Sequence, residues 1–393
     1  MEIKGCILPW VHIHGNMSGK YKVCCYNDLR TDPLLDLGDS TQSFMEVWHG
    51  DPYKEIRRKF LAGEIPRQCY EPCFKKEELG IVETPKNNAN RFWGNYAPLQ
   101  KTLTPPAPIY IDFRFGNICN FRCRTCGSRS STSWFKEAKE LFNEHTEVKE
   151  NWDTETFWKG LELIYPNLKV VYFAGGEPLV LEQHYRVLEY LISKNKTDIN
   201  LQYNTNLSNL HFKDYDLVSL WKKFKKVDLW TSCDGYNQVC EYTRKELVWE
   251  EFDRNVDIVK NYITSISSVV SIFTIYSMPD LILWGKKKNI SIFGTTLISP
   301  KQYSLQILPD VEKEKIIEYY KTFIKENKKI LNMGELRHIA DWLRYIKGSL
   351  PVEEKSQLEK LFKKHVSIID RSRNENFTSV VPQLADWYDS IKI

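Results

Sequence analysis

From residue 109 to about residue 300, short apolar runs alternate with stretches whose apolar positions recur every three or four residues. The runs predict strands over 109–115, 169–174, 200–203, 226–232, 269–276 and 290–293, and the stretches between them predict helices such as 131–142 and 181–193. The clearest helix face is Trp249, Phe252, Val256, Val259 and Ile263, at steps of three and four. Strands alternating with helices imply an α/β fold, a parallel sheet with helices outside it, barrel-like or doubly wound. Beyond residue 300 the pattern turns helical and lysine-rich, with amphipathic stretches over 311–327 and 334–346. Pro351 followed by Glu353 and Glu354 marks a further helix start. Ahead of the strands, residues 102–108 carry three prolines, a density that stiffens a connector and prevents helix. A domain boundary is expected there.

A length of 393 residues suits two or three domains. Lys plus Arg number 55 against 51 Asp plus Glu, a net charge of +4 that gives no electrostatic support to wholesale nucleic-acid binding. The lysine runs at 222–226 and 286–288 read as solvated faces. With 42% hydrophobic and 13% aromatic residues, global disorder is excluded. No apolar run has the length of a membrane span, and the first residues are too broken for a signal-peptide core. The expected location is cytoplasmic, where clustered cysteines read as metal ligands or redox centres rather than disulfides.

The ten cysteines carry most of the chemistry. Cys119, Cys123 and Cys126 form C-x3-C-x2-C directly after the first predicted strand of the α/β region. Three thiolates in one short loop can bind three irons of a cubane cluster, or most of a zinc site. A cubane normally takes four thiolates, so three leave one iron open to a substrate or cofactor. Gly175, Gly176, Glu177 and Pro178 end the second strand; glycines allow close backbone approach, and a carboxylate can accept from an ammonium. Thr205 and Asn206 close the third strand, and Ser232 and Asp234 the fourth. These are small polar clusters at carboxyl ends of strands, where barrel enzymes place their chemistry. Arg244 follows Glu241 and Tyr242, its plain alternative being a surface ion pair.

These motifs, in this order, resemble those of the radical S-adenosylmethionine enzymes. The resemblance implies a partial (β/α)6 barrel whose triplet holds a [4Fe–4S] cluster with one open iron. In that family the open iron chelates S-adenosylmethionine, and one electron cleaves it to a 5′-deoxyadenosyl radical that abstracts a hydrogen atom. Gly175, Gly176 and Glu177 match the motif that holds the methionine amino group. Asn206 and Ser232, and with them Thr205 and Asp234, match ribose and carboxylate contacts. Arg244 matches a residue that pairs with the methionine carboxylate. The residue before the third cysteine, often aromatic in the family, is Thr125 here.

Cys6, Gly19, Cys24 with Cys25, Cys69 and Cys73 resemble a twitch domain, the half-size relative of the SPASM domain. The resemblance implies a second, auxiliary [4Fe–4S] cluster on Cys6, Cys24, Cys69 and Cys73, with Cys24 chosen over Cys25 by the count from Gly19. The final pair is spaced C-x3-C where C-x2-C is usual, and the module precedes the barrel where the family usually puts it after. Four thiolates hold a structural zinc as readily. His12 and His14 read as surface or packing residues, and Cys233 as core. Cys240, expected on the loop after the fourth strand, is a candidate catalytic hydrogen-atom donor or a buried structural cysteine.

The expected organisation is an auxiliary cluster domain over 1–100, a partial barrel over 101–300 and a helical extension over 301–393. The expected function is radical modification of a peptide or protein side chain. The alternatives are a radical enzyme acting on a small metabolite and a non-catalytic iron–sulfur or zinc protein that carries electrons. The family resemblance also implies a reductant such as flavodoxin or ferredoxin as partner.

Overall fold

Strand and helix alternate through the middle of the chain, in a computed structural model that describes residues 4–26, 36–78 and 84–392. The main elements run β1 (His12–Gly15), β2 (Tyr21–Lys22), α1 (Asp51–Leu61), α2 (Pro85–Trp93), β3 (Tyr110–Phe113), β4 (Arg122–Cys123), α3 (Phe135–Phe142) and α4 (Glu155–Ile164). They continue with β5 (Val170–Phe173), α5 (Glu182–Ser193), β6 (Asn200–Thr205), α6 (Leu217–Trp221), β7 (Lys226–Ser232), α7 (Gln238–Thr243), β8 (Arg244–Lys245) and α8 (Trp249–Val259). The last are β9 (Ile263–Val270), α9 (Met278–Lys288), β10 (Ile292–Thr296), α10 (Asp310–Asn327), α11 (Met333–Ile346) and α12 (Val352–Arg373). Each of β5, β7, β9 and β10 is followed by a helix, and β3 reaches α3 after the short β4, the alternation that the hydrophobic pattern predicts.

The chain divides into two compact units, the first made of Met1–Cys119, Glu147–Tyr203 and His211–Asp228. In it β1, β3, β5 and β6 pair in parallel, with His12 opposite Tyr110, Asp112 opposite Tyr172 and Tyr172 opposite Gln202. The N-terminal segment therefore adds a strand to the sheet. The proline-rich connector is fastened: Trp48 Nε1 donates to the Pro105 carbonyl at 3.0 Å, and buried Arg57 donates to the carbonyls of Pro9, Trp48 and Leu103. Ile111, Phe113, Val171, Phe173, Leu201 and Tyr203 bury one face of the sheet. On it Phe113 packs against Phe44 and Trp152, ring centroids 4.9 Å apart in each pair. On the opposite face Tyr110, Tyr172 and Gln202 are only half-buried.

The second unit comprises Asn120–Thr146, Asn204–Leu210 and Leu229–Ile393. Here β9 pairs in parallel with β10 and, through Leu229 to Ser232, with β7. Leu229, Ile266, Val270 and Ile292 are buried, whereas Trp230, Ser232, Ser267 and Val269 are half-buried and Thr295 is exposed. Parallel sheets are normally covered on both faces. In each unit, alternate residues leave one face partly open.

Beyond residue 300, α10 and α11 begin within one residue of the stretches that the pattern predicts. Trp342 of α11 donates to the Gly294 carbonyl of β10 at 2.9 Å, and Phe362 of α12 packs among Phe377, Trp387 and Tyr388. One strand differs from expectation. The strand placed at 269–276 runs instead over Ile263–Val270, and the next residues turn into α9. Ile263 extends the spacing of the α8 face by one more step, so its apolar side chain reads as helix, while 271–276 is apolar because it is buried as a turn. Among the described residues no helix is long and apolar enough to cross a membrane.

Candidate functional site

In the first unit Cys6, Cys24, Cys69 and Cys73 line one small cavity of about 20 Å³, with Leu8 and Phe60 closing its sides. Cys6 precedes a buried helical turn over Leu8–Val11, and Cys24 follows β2. Cys69 ends a short helix, and Cys73 lies in a π-helical turn over Tyr70–Phe74. That wide turn absorbs the extra residue of the C-x3-C spacing.

The four thiols feel one another. Burial pushes the Cys6 pKa up to about 12, with a further push from Cys73. Burial also raises Cys24, assisted by Cys25, Cys69 and Cys6, and it raises Cys69, assisted by Cys6 and Cys73. Cys25 keeps different company: burial lifts it to about 11, and its charged neighbours are Asp112 and Arg114. The four cysteines that share the cavity are Cys6, Cys24, Cys69 and Cys73; Cys25 is not among its lining residues.

The C-x3-C-x2-C segment begins in the first unit and continues into the second. In the first, the Gly176 amide donates to the Gly116 carbonyl at 3.0 Å and the Glu177 amide to the Ile118 carbonyl at 2.8 Å. Gly175 has φ +121°, and a Cβ on Gly176 would collide with the Ile118 carbonyl. Both glycines are therefore required for the motif to dock beside Cys119. Asn117 braces the same stretch, donating to the Glu147 carbonyl at 3.0 Å and accepting from the Lys149 amide at 2.9 Å. Glu177 is buried, and its Oε1 accepts from the Leu179 amide at 3.0 Å.

In the second unit Cys123 of β4 stands opposite Arg244 of β8 in an antiparallel ladder. Its carbonyl accepts from the Cys126 amide at 3.1 Å and from Trp134 Nε1 at 3.0 Å. The Arg244 side chain is 13% exposed and pairs through Nη1 with Asp234 at 2.8 Å. Its Nε is buried with no hydrogen-bond partner. Burial opposes the Arg244 charge, but Cys123, Asp234 and Cys240 hold its pKa well above the ordinary value. Asp234 is itself fixed by the Val269 amide at 2.7 Å.

A family model described as the radical SAM superfamily matches residues 113–280, and one described as an iron–sulfur cluster-binding domain, SPASM, matches residues 6–74. The chain carries a radical SAM domain preceded by an N-terminal SPASM domain. No curated protein sequence matches it. Similar solved structures include native anSMEcpe with bound AdoMet, at 16% identity and TM-score 0.40, covering 54% of this chain and 61% of that one. Streptococcus suis SuiB bound to S-adenosylmethionine is 14% identical, with TM-score 0.38, covering 66% of this chain and 60% of that one. SuiB bound to the precursor peptide SuiA is 14% identical, with TM-score 0.36, covering 70% and 64%. The radical SAM protein thus spans about three-fifths of the solved chains it resembles.

The two domains imply [4Fe–4S] clusters and S-adenosylmethionine as cofactors, and the residues present suit them. Four thiols share one cavity in the SPASM domain, the number a cubane would take, and the C-x3-C-x2-C segment offers three more. The orphaned Nε of Arg244 is a buried cationic donor suited to a carboxylate.

Other expected residues are placed differently from one another. Asn206 donates to Asn120 at 2.9 Å and accepts from the Ser208 amide at 2.9 Å, so it ties the triplet loop to the end of β6 within the second unit. Thr205 Oγ1 accepts from the Leu207 amide at 2.9 Å. Ser232 is half-buried on the open face of β7, and Thr125 is half-buried in the triplet loop. Cys240 sits in α7 rather than in a loop; it is fully buried with its sulfur 3.1 Å from that of Cys233, a position that offers no thiol to a substrate. His12 and His14 are buried on β1, His14 in an ion pair with Asp112 at 2.9 Å. Asn120, Arg124 and Trp134 hold the triplet loop and were not singled out by sequence. Only their closeness to the triplet in the chain could have flagged them.

Proposed function

We propose that this radical SAM protein modifies a side chain of a peptide or protein in the cytoplasm. The observation that supports this reading is the partly open sheet face of the second unit. There Trp230 and Ser232 of β7 and Ser267 and Val269 of β9 are half-buried, and Thr295 of β10 is exposed. A small metabolite is held in a largely enclosed pocket that buries most of its surface, whereas a broad partly wet face suits an extended chain.

Cys119, Cys123 and Cys126 would hold the cluster that, once reduced, cleaves S-adenosylmethionine to begin hydrogen abstraction from the substrate. Backbone groups of Gly175, Gly176 and Glu177 would receive the methionine amino group, and Arg244 its carboxylate. Asp234 would keep the Arg244 fork oriented. Ser232 would face the cofactor from the end of β7, while Thr205 and Asn206 would shape the third strand end. Cys6, Cys24, Cys69 and Cys73 would hold an auxiliary cluster with every iron thiolate-bound, which supports electron transfer rather than substrate chelation. A flavodoxin- or ferredoxin-like reductant would supply the first electron.

The test is anaerobic reconstitution, reduction and addition of S-adenosylmethionine, followed by separate incubation with the peptide and the small-metabolite fractions of a cell extract. Release of 5′-deoxyadenosine with a mass change in the peptide fraction supports the proposal. A mass change confined to the metabolite fraction overturns the substrate class. No release of 5′-deoxyadenosine from protein carrying both clusters overturns the enzyme itself.

A further inference from the structure

Arg124 lies inside the triplet, next to Cys123, and its side chain has no exposure. Its guanidinium lies 3.6 Å from the ring centre of Tyr242, and its Nε donates to the Tyr242 carbonyl at 3.0 Å. Nη2 donates to Asp370 at 2.5 Å and also to Glu375. Asp370 is in the last turn of α12, 246 positions along the chain, and Glu375 follows the Asn374 cap of that helix. Asp370 further accepts from the Tyr242 hydroxyl at 2.9 Å and the Phe377 amide at 2.8 Å, while Glu375 takes Lys245 at 2.9 Å.

A second arm reaches the same turn. Trp134 Nε1 holds the Cys123 carbonyl at 3.0 Å, and the Arg373 guanidinium lies 4.7 Å from the Trp134 ring centre. Arg373 grips Glu137 of α3 with two bonds, at 2.9 and 2.7 Å. Between the two arms Ile369 of α12 packs on Trp134 and Ala138. Asp370 and Arg373 are one helical turn apart, so one turn of α12 grips the loop by a side chain and by a backbone carbonyl.

Arrangements of this kind do more than pack. Planar, buried Arg–carboxylate pairs fix orientation, and low-dielectric charges act strongly on their neighbours. Two carboxylates balance two cations, Arg124 and Lys245, beside Cys123. Outer contacts of a cluster tune both its ligand geometry and its potential.

We infer that the helical C-terminal extension is a working part of the radical-generating centre: Arg124 is a positioning residue for the triplet cluster, and Asp370, Glu375 and the Glu137–Arg373 pair set its geometry and local charge. This rests on the reading of Cys119, Cys123 and Cys126 as cluster ligands. Loss of one carboxylate leaves an uncompensated cation beside the cluster, which favours the reduced state.

The test uses the full chain reconstituted with both clusters, in four forms: unsubstituted, Glu375→Gln, Asp370→Asn and a packing control, Phe362→Leu. Iron per chain, thermal midpoint, the electron paramagnetic resonance signal that responds to S-adenosylmethionine, and its midpoint potential are read for each. The expected result is an upward shift of that potential in Glu375→Gln and Asp370→Asn, an altered line shape in the same signal, and no shift in the auxiliary cluster. Phe362→Leu should lower the thermal midpoint and leave the potential in place. Potentials and line shapes unchanged in both carboxylate variants, with only the thermal midpoint lowered, would reduce the extension to packing and overturn the inference. If the unsubstituted chain shows no signal responsive to S-adenosylmethionine, the cluster assignment fails instead, and the clamp on that cluster falls with it.

Discussion

Cys123 and Arg244 stand opposite each other across the two-residue antiparallel ladder of β4 and β8. The ladder sets the cationic fork beside Cys123, and Asp234 pairs with its Nη1. The buried Nε has no hydrogen-bond partner, and in the proposed function the methionine carboxylate would take it. Arg244→Gln should therefore weaken S-adenosylmethionine binding by about 1.5–3 kcal/mol, roughly ten- to a hundredfold in Kd. Arg244→Lys should recover only part, because a point charge cannot reproduce the fork. Equilibrium binding to the reconstituted protein measures both. Equal affinity in all three forms would remove Arg244 from the cofactor site.

Gly176 is the tightest joint in the loop around Cys119. Its amide bonds the Gly116 carbonyl, and its missing side chain leaves room for the Ile118 carbonyl. Gly176→Ala forces those backbones apart. The expected outcome is loss of the triplet cluster with retention of the auxiliary one, a fall from about eight to about four irons per chain. Iron and sulfide analysis checks this, and a variant that keeps its full complement would show that the docking tolerates displacement.

The parts of this fold legible in the sequence are those with a local signature. Strand β7 occupies the residues its apolar alternation predicts, and α10 and α11 begin within a residue of theirs. Cys119, Cys123 and Cys126 announce themselves by spacing. The start of β9 was hidden because Ile263 continues the rhythm of α8, and short buried runs read alike as strand, turn or helix. Arg124 was hidden for another reason. Its partners Asp370 and Glu375 look in sequence like two more charges on a polar helix, and nothing local marks a pairing over 246 positions. Glu137 and Arg373 share that property, whereas Cys240 misled because its position along the chain, after β7, says nothing about how deeply α7 buries it.

His184 gives the protein an acid-sensitive element. It is fully buried in α5 with Nε2 2.9 Å from the Tyr203 hydroxyl, and burial alone lowers its pKa from 6.5 to about 3. Above pH 6.5 the ring is neutral whether the chain is folded or not. Below pH 6.5 the unfolded chain binds a proton that the folded chain refuses until about pH 3, so stability declines through that window. The loss at pH 5 should be about 2 kcal/mol relative to pH 7. His184→Gln, which keeps a partner for Tyr203, should flatten the pH dependence of urea unfolding by about that amount. An unchanged slope would place the sensitivity elsewhere.

Cys24 and Cys25 are adjacent in sequence, but their surroundings give them different chemistry. Cys24 lines the cavity shared by Cys6, Cys69 and Cys73, and its charged form is disfavoured by burial first, then by Cys25, Cys69 and Cys6. Cys25 is influenced instead by Asp112 and Arg114. If the quartet binds a cubane, Cys24→Ala removes one of four thiolates and should cost the auxiliary cluster, leaving about four of about eight irons. Cys25→Ala should keep the full complement and the same auxiliary signal in electron paramagnetic resonance. The triplet cluster serves as the internal control, since its S-adenosylmethionine-responsive signal should survive in both variants. Loss of iron from Cys25→Ala with retention in Cys24→Ala would exchange the two assignments. Equal loss from both would mean that the turn after β2, rather than either sulfur, supports the cluster.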